Sequence, residues 1–312
     1  MGRYALRRVL VIVPTLLMLV LAIMILEALA PGDPAEQFAR LHSTTGQVTN
    51  ADVARARHEL GLDRPFVAQY VSWVEGAVHG DLGQSFTLEK PVVFEIDNHF
   101  VATAELAAVA MILTVLLAVP LGVVAAVRRG TLVDHVLRVG SLVVASLPGF
   151  FLAYLLIEIF ATRLHLLPVA GRSTAGLVLP AVSLAAGGIA TASRLMRASL
   201  LEVMGEDYIR TARAKGLTVS QVVRRHALPG ASLPVITVFG TLLGYLLAGS
   251  VIVETIFAWP GLGQLFEQAV TQRDYPTIEG LVALAGTAFL LLNLGVDLAY
   301  RLLDPRIRLA ER

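Results

Sequence analysis

Six stretches of the chain carry almost uncharged hydrophobic runs: Val9–Leu26, Leu106–Val127, Val139–Ile157, Ser173–Ser193, Ala227–Val253 and Gly280–Val296. The last continues past Asp297 to Tyr300. Crossing the hydrocarbon core of a bilayer takes roughly 20 apolar residues in a helix, so each run predicts a spanning helix. Six core helices of a soluble protein are the alternative, but the remaining polar sequence is too short to cover such a core. The pattern predicts an all-α integral membrane protein with six transmembrane helices.

Two polar segments interrupt this pattern. Residues 31–99 read as a soluble segment with short helices: Pro31-Gly32-Asp33-Pro34 breaks the first helix, Thr49-Asn50-Ala51-Asp52 caps a helix over Val53–Leu60, and Gly61 ends it. Gly80-Asp81-Leu82-Gly83 reads as a turn. The second segment, 194–228, has apolar residues at helical spacing: Leu195, Ala198, Leu201 and Ile209 are expected to face protein, and Arg194, Arg197, Glu206 and Arg210 water. Lys215-Gly216 supplies a helix end, and Thr218 with Gln221 a capping box for a second short helix through His226. The expected organisation is a first transmembrane helix over 1–30, the soluble segment 31–99, a five-helix transmembrane domain over 100–305 containing the 194–228 loop, and a tail over 306–312.

Composition agrees: 56% of residues are hydrophobic and 16% charged, against about 25% charged in soluble domains. The distribution of charge then supplies an orientation. With six alternating helices, 17 of the 25 Lys and Arg fall on the side of the termini and 8 on the other, although that other side includes the long 31–99 segment. The positive-inside rule places both termini and the 194–228 loop in the cytoplasm and 31–99 outside. Arg3, Arg7 and Arg8 with Ala28-Leu29-Ala30 resemble a signal peptide, but the 18-residue run exceeds the usual length, so an uncleaved first helix is expected. The chain has no cysteine, which removes disulfide frameworks and thiolate chemistry.

The 194–228 loop carries the main chemical signal. Small residues Ala212 and Ala214 beside Gly216 suit the close approach of another surface, while an ordinary basic connector held by anionic lipid headgroups remains the physical alternative. The segment resembles the "EAA" loop of type I ABC importer permeases: Arg210-Thr211-Ala212 takes the place of the triplet, Gly216 follows four residues later, and His226-Ala227-Leu228-Pro229 forms the tail. The stretch Tyr208–Leu217 is similar to the variant of the dipeptide, oligopeptide and nickel branch. Further similarity to that branch's B-type permease lies in Gly32-Asp33-Pro34, Leu60-Gly61-Leu62-Asp63-Arg64-Pro65, Gly80-Asp81-Leu82-Gly83-Gln84-Ser85, Leu167-Pro168, Glu254–Gly263, Arg273-Asp274-Tyr275-Pro276 and Leu303-Asp304-Pro305-Arg306. Pro229-Gly230 departs from the pattern, where many members carry Arg-Asn.

This resemblance implies that Asp207, Tyr208, Arg210, Thr211, Ala212, Arg213, Ala214, Lys215 and Gly216 form coupling helices seated in a cleft of an ATPase. It further implies two ATPase subunits that carry ATP and Mg, a second homologous permease, an external solute-binding protein and a bacterial or archaeal cytoplasmic membrane location. Membrane lipids complete the expected surroundings, without nucleic acid. Cargo is expected to be a short peptide or a nickel or other metal chelate, moved by alternating access.

Gly240 and Gly244 form a G-x-x-x-G pair with Gly249 beyond, which suits close helix packing or a translocation path. Glu254, Trp259, Pro260 and Gly261 form an expected external gate or binding-protein contact, with Phe257 and Trp259 as interfacial anchors in the simpler reading. Glu105, Glu158 and Asp297 flank apolar runs, as transport carboxylates or as solvated or paired groups. His42, His58, His79 and His99 match no metal-ligand spacing, so no metal site is expected. The phosphate-loop G-x-x-x-x-G-K-[ST], Gly-x-Ser-x-Gly and His-Glu-x-x-His patterns are absent. No catalytic residue is expected, and hydrolysis belongs on other chains. A secondary transporter, or a non-catalytic membrane subunit of another complex, is the alternative, but the two halves show no internal repeat.

Overall fold

The computed structural model describes residues 2–43 and 47–303; the side-chain surroundings of 2–10, 245, 247–249 and 296–303 are outside that description. Asp297, the surroundings of Gly249, the Asp304-Pro305-Arg306 motif and the 306–312 tail therefore lie outside the described residues. Among those described, the chain is helical apart from one isolated bridge between Gln84 and Pro91. Five helices are long and apolar enough to span a membrane, or six if one sharply bent pair counts as a single span.

Two compact units divide the chain. The first comprises Met1–Thr103 and Pro260–Leu291, the second Ala104–Trp259 and Leu292–Arg312. In the first unit, α1 (Gly2–Leu29) precedes three short helices, α2 (Pro34–Leu41), α3 (Asn50–Glu59) and α4 (Phe66–Val78). Asp33 caps α2 through the Ala35 amide. Thr49 and Asp52 form a reciprocal capping box on α3, which satisfies two of the amides that a helix start leaves without partners. Next comes α5 (Val92–Val127), whose 36 residues correspond to about 54 Å at 1.5 Å per residue. It begins well before the apolar run does, because its first turns carry Glu95, Asp97, Asn98 and His99, and only its later part is uncharged.

The second unit contains the rest of α5, then α6 (Leu132–Ser146) and α7 (Gly149–Leu156), the latter running into a π-helical turn, Ile157–Arg163. The run Val139–Ile157, expected as one span, is instead broken by a 105° bend between α6 and α7. Pro148 is responsible: it cannot donate a backbone hydrogen bond and holds Leu147 extended. Then α8 (Thr174–Val203) runs ten residues past the end of its apolar run, so Arg194–Val203 belongs to the long helix rather than to a loop helix. It is followed by α9 (Asp207–Ala214) and α10 (Val219–Val222), the latter continuing through a second π-helical turn, Val223–Ala227, into α11 (Leu228–Ile256). α12 (Leu262–Gln272) and α13 (Tyr275–Leu303) as far as Leu291 belong to the first unit, and the rest of α13 to the second.

The most buried of the spanning helices is α8, and its enclosed face is made of small residues including Ala181, Ala185, Gly188, Ala190 and Ala192. Such faces let helices approach closely where no hydrophobic effect drives them together. A Cβ on Gly122 of α5 would sit 2.6 Å from the Ser193 carbonyl oxygen, and one on Gly188 would sit 3.2 Å from Thr114. Glycine at these two places sets the separation of α5 and α8.

Candidate functional site

The segment joining α8 to α11 is built on an apolar cluster. Met196 and Leu200 of α8, Ile209 and Ala212 of α9, Val222 of α10, Val223 of the π-helical turn that follows it, and Ala231 and Val235 of α11 pack together. Ile209 and Val222 are fully enclosed. Ile209 faces the core as its spacing predicts, and Leu195 and Leu201 are partly buried against the same cluster, but Ala198, expected to face protein with them, is exposed. Ala212 also faces inward, so its small side chain accommodates the chain's own core and is unavailable to a visiting surface.

The other face of α9 is open. Asp207, Tyr208, Arg210, Thr211, Arg213, Ala214, Lys215 and Gly216 are all exposed. Arg210 pairs with Asp207 at 3.1 Å, a solvated contact that contributes little to stability. Gly216 has φ +83 with nothing within 4 Å of a Cβ built on it. The left-handed backbone, rather than crowding, is what calls for glycine there. Thr218 caps α10 with the expected Gln221 partnership.

Arg197 departs from its expected exposure. Its guanidinium makes a bidentate contact with Asp134 at 2.7 and 2.8 Å, and Asp134 also accepts from the Gly130 amide at 3.0 Å. Asp134 is 1% exposed. This clamp ties the start of α6 and the preceding turn to α8, and its members lie 63 positions apart. A lone carboxylate among Arg128, Arg129 and Arg138 was the available signal.

The remaining candidates divide between helix packing and ion pairing. Gly244 is buried and Gly240 half-buried on α11, with Gly249 on the same helix. Leu246 packs with Ala110 and Ala185. Glu105 pairs with Arg172 at 3.5 Å and Glu158 with Arg163 at 2.9 Å. Phe257 and Trp259 are each 1% exposed and Glu254 is fully enclosed, so neither ring is an anchor on the surface of the chain. The Trp259 amide donates to the Glu254 carbonyl at 2.8 Å, closing the turn after α11. In the first unit, Gly261 precedes α12, Pro260 is half-buried, and the Leu262 amide donates to Thr103 Oγ1 at 2.7 Å.

Four of the sequence motifs meet at one place in the first unit. Gly32-Asp33-Pro34, Leu60-Gly61-Leu62, Asp81 with Gly83-Gln84-Ser85, and Tyr275-Pro276 all line a cavity of about 920 Å³. Asp274 fixes this convergence by accepting from the Ser85 hydroxyl, from the Phe86 amide at 2.8 Å and from the Thr277 hydroxyl at 2.9 Å. Glu27 and Glu279 bring two carboxyl groups within hydrogen-bonding reach at its wall. Glu27 Oε1 and Trp73 Nε1 are enclosed there without a protein partner. His42 contacts Glu89 at 2.6 Å and His58 contacts Asp63 at 2.7 Å. Among the described residues no three His, Asp or Glu side chains gather as a metal site.

Residues 118–309 match the family described as "Binding-protein-dependent transport system inner membrane component", and residues 1–107 match its N-terminal counterpart. The dipeptide transport system permease protein DppB of Escherichia coli K12 is 38% identical, with 99% of each chain covered. The glutathione transport system permease protein GsiC of the same organism is 38% identical over 99% of each. A probable peptide ABC transporter permease of Sinorhizobium fredii is 39% identical over 99% of this chain and 100% of the relative. Two inward-facing structures of the MetNI methionine ABC transporter share the fold at 22% and 20% identity. Their TM-scores are 0.56 and 0.59, covering 68% of this chain and 97% of the solved ones. With matches spanning nearly its whole length, the chain belongs to the family of inner-membrane components of binding-protein-dependent transport systems, the permeases of ABC importers.

Proposed function

We propose that this permease moves short peptides, delivered by an external solute-binding protein, by alternating access driven through the exposed face of α9. Members of this family carry no ATPase activity of their own, which lies on partner chains. The names of the dipeptide, glutathione and peptide relatives support short peptides as cargo over nickel or another metal chelate. The assembly we infer contains two ATPases holding ATP and Mg, a second homologous permease and the binding protein. The arginine asymmetry supports cytoplasmic termini and an external α2–α4 segment, where the 920 Å³ cavity and the Pro260-Gly261 turn would meet the binding protein. Gly240, Gly244 and Gly249 would let α11 pack beside the path, and Glu254 with Trp259 would stiffen the end of α11 as part of an outer gate.

The observation that carries this reading is the two-sidedness of α9: Ile209 and Ala212 are locked into the cluster with α8, α10 and α11, while Asp207, Tyr208, Arg210, Thr211 and Arg213 are left open. A force applied to the open face would move the long helices with it. Replacing Gly216 with valine strains its left-handed backbone and adds bulk to the open surface. ATP-dependent peptide uptake is then abolished while the chain still inserts into the membrane; unchanged uptake would defeat the coupling role. Uptake by the purified chain alone, driven by an ion gradient, would favour a secondary transporter instead.

A further inference from the structure

Between α5, α6 and α8 lies a groove of about 370 Å³ that the importer reading leaves unused. Leu121, Val144, Ala186 and Ile189 line its apolar depth, and Arg138 and Arg194 line it as well. Helical rise separates Ala186 from Arg194 by about 12 Å and Val144 from Arg138 by about 9 Å. Both displacements run toward the α5–α6 turn, so the groove is apolar at one end and basic at the other. Arg197 lines this end too but is already committed to Asp134. Among the described residues, neither the Arg138 nor the Arg194 guanidinium makes a hydrogen bond or a close ion pair; Asp134, whose carboxylate Arg197 holds directly, is near enough to feel the Arg138 charge. Val136, Val139 and Val143 flank the groove on α6 with 60, 59 and 54% of their surface open.

We propose that this groove holds an acyl chain of one anionic phospholipid, with its phosphate bound by Arg138 and Arg194. An apolar channel along helices that span a membrane is matched by hydrocarbon, and a guanidinium pair is matched by a phosphate diester. A basic opening between spanning helices joins the two requirements in one ligand. The site itself does not depend on the proposed coupling role of α9. Its consequence does, because α8 passes the bound headgroup at Arg194 and ends at Val203, four residues before α9. An anionic lipid would then stiffen the helix on which the ATPase contact is mounted.

The test is native mass spectrometry of the complete transporter, stripped of lipid and then offered phosphatidylglycerol or phosphatidylcholine. Wild type is expected to retain phosphatidylglycerol on the order of 30-fold better, the effect of two arginines near a headgroup of net negative charge, because the choline cation of phosphatidylcholine offsets the same phosphate. Replacing Arg138 and Arg194 together with alanine removes this preference. Gly140 also lines the groove, and a Cβ built on it meets nothing within 4 Å. Gly140→Phe therefore starts from an unobstructed Cβ and puts a ring where the acyl chain would lie, and loses the bound lipid whichever headgroup is offered. Wild type without a headgroup preference, or Gly140→Phe with undiminished lipid, overturns the proposal. So does a photo-reactive amino acid in place of Ser141 that captures a protein chain instead of lipid. The same spectra report whether the ATPases are attached, so a failed importer reading appears as missing subunits and is distinguished from a lost lipid.

Discussion

The α2–α3 segment and the α9–α10 segment are both short helical pieces inserted between long helices, and they are held by different forces. Around α9–α10 the buried side chains are large, with Met196, Leu200, Ile209, Val222, Val223 and Val235 in one cluster. The buried residues of α2–α3 are only Ala35, Ala39 and Ala56, supported by partly buried Phe38, Val48, Val53 and Leu62. Caps at Asp33 and Thr49 and the Arg57–Asp33 pair at 2.5 Å supply much of the rest. Burial of large aliphatic groups makes a segment move as one body with its helices. Alanine packing and surface polar contacts leave a segment that can adjust around a cavity. The contrast suits a piece that transmits force and a piece that receives a partner.

The largest expected effect tests the rigid side. Ile209→Ala removes a fully enclosed side chain and should destabilise the chain by about 2–5 kcal/mol, read by unfolding in mixed micelles. A smaller value would mean that α9 is not integral to the cluster. Gly122→Ala should cost about 1–3 kcal/mol through overpacking, because its Cβ meets the Ser193 carbonyl oxygen and the Met196 side chain. An unchanged stability would show that α5 and α8 can separate freely.

The caps provide a direct comparison of the two segments. Thr49→Ala and Thr218→Ala each remove a capping box worth about 1 kcal/mol. Hydrogen exchange should show α3 opening in the first variant and α10 still protected in the second, since Val222 and Val223 remain buried. Equal opening would erase the proposed difference.

The smallest effect concerns pH. His42 is held above its ordinary value of 6.5, chiefly by its hydrogen bond to the Phe38 carbonyl and further by Glu89, with desolvation opposing. A raised folded value means that the stabilisation is complete below the ordinary value and is lost as pH rises through the higher one. An NMR titration should find His42 above the ordinary range and Glu89→Gln should lower it. A value at or below 6.5 in wild type would contradict the contact.

Much of this was legible in the sequence, for reasons that particular residues make plain. Every apolar run but Val139–Ile157 falls on continuous helix, because uncharged length is a one-dimensional property. Thr49 with Asp52 and Thr218 with Gln221 cap helices where expected because capping is local. The bend at Pro148 was missed because a hydropathy run carries no direction, although the proline itself was in view. The end of α8 was misplaced because Arg194 and Arg197 broke the apolar run without breaking the helix. Phe257 and Trp259 read as membrane anchors because aromatic composition does not reveal what will cover it. The Asp134–Arg197 clamp and the meeting of four motifs around Asp274 required tertiary structure, since their members are distant in the chain.

The central claim is that the open face of α9 receives the ATPase. The chain has no cysteine, so a single introduced thiol reports on one position. In the complete transporter, Thr211→Cys should cross-link to an ATPase subunit, with a yield that changes on adding ATP, while Arg55→Cys on the exposed face of α3 should not. Free labelling of Thr211→Cys with the ATPases attached, or an ATPase adduct from Arg55→Cys, would contradict the account.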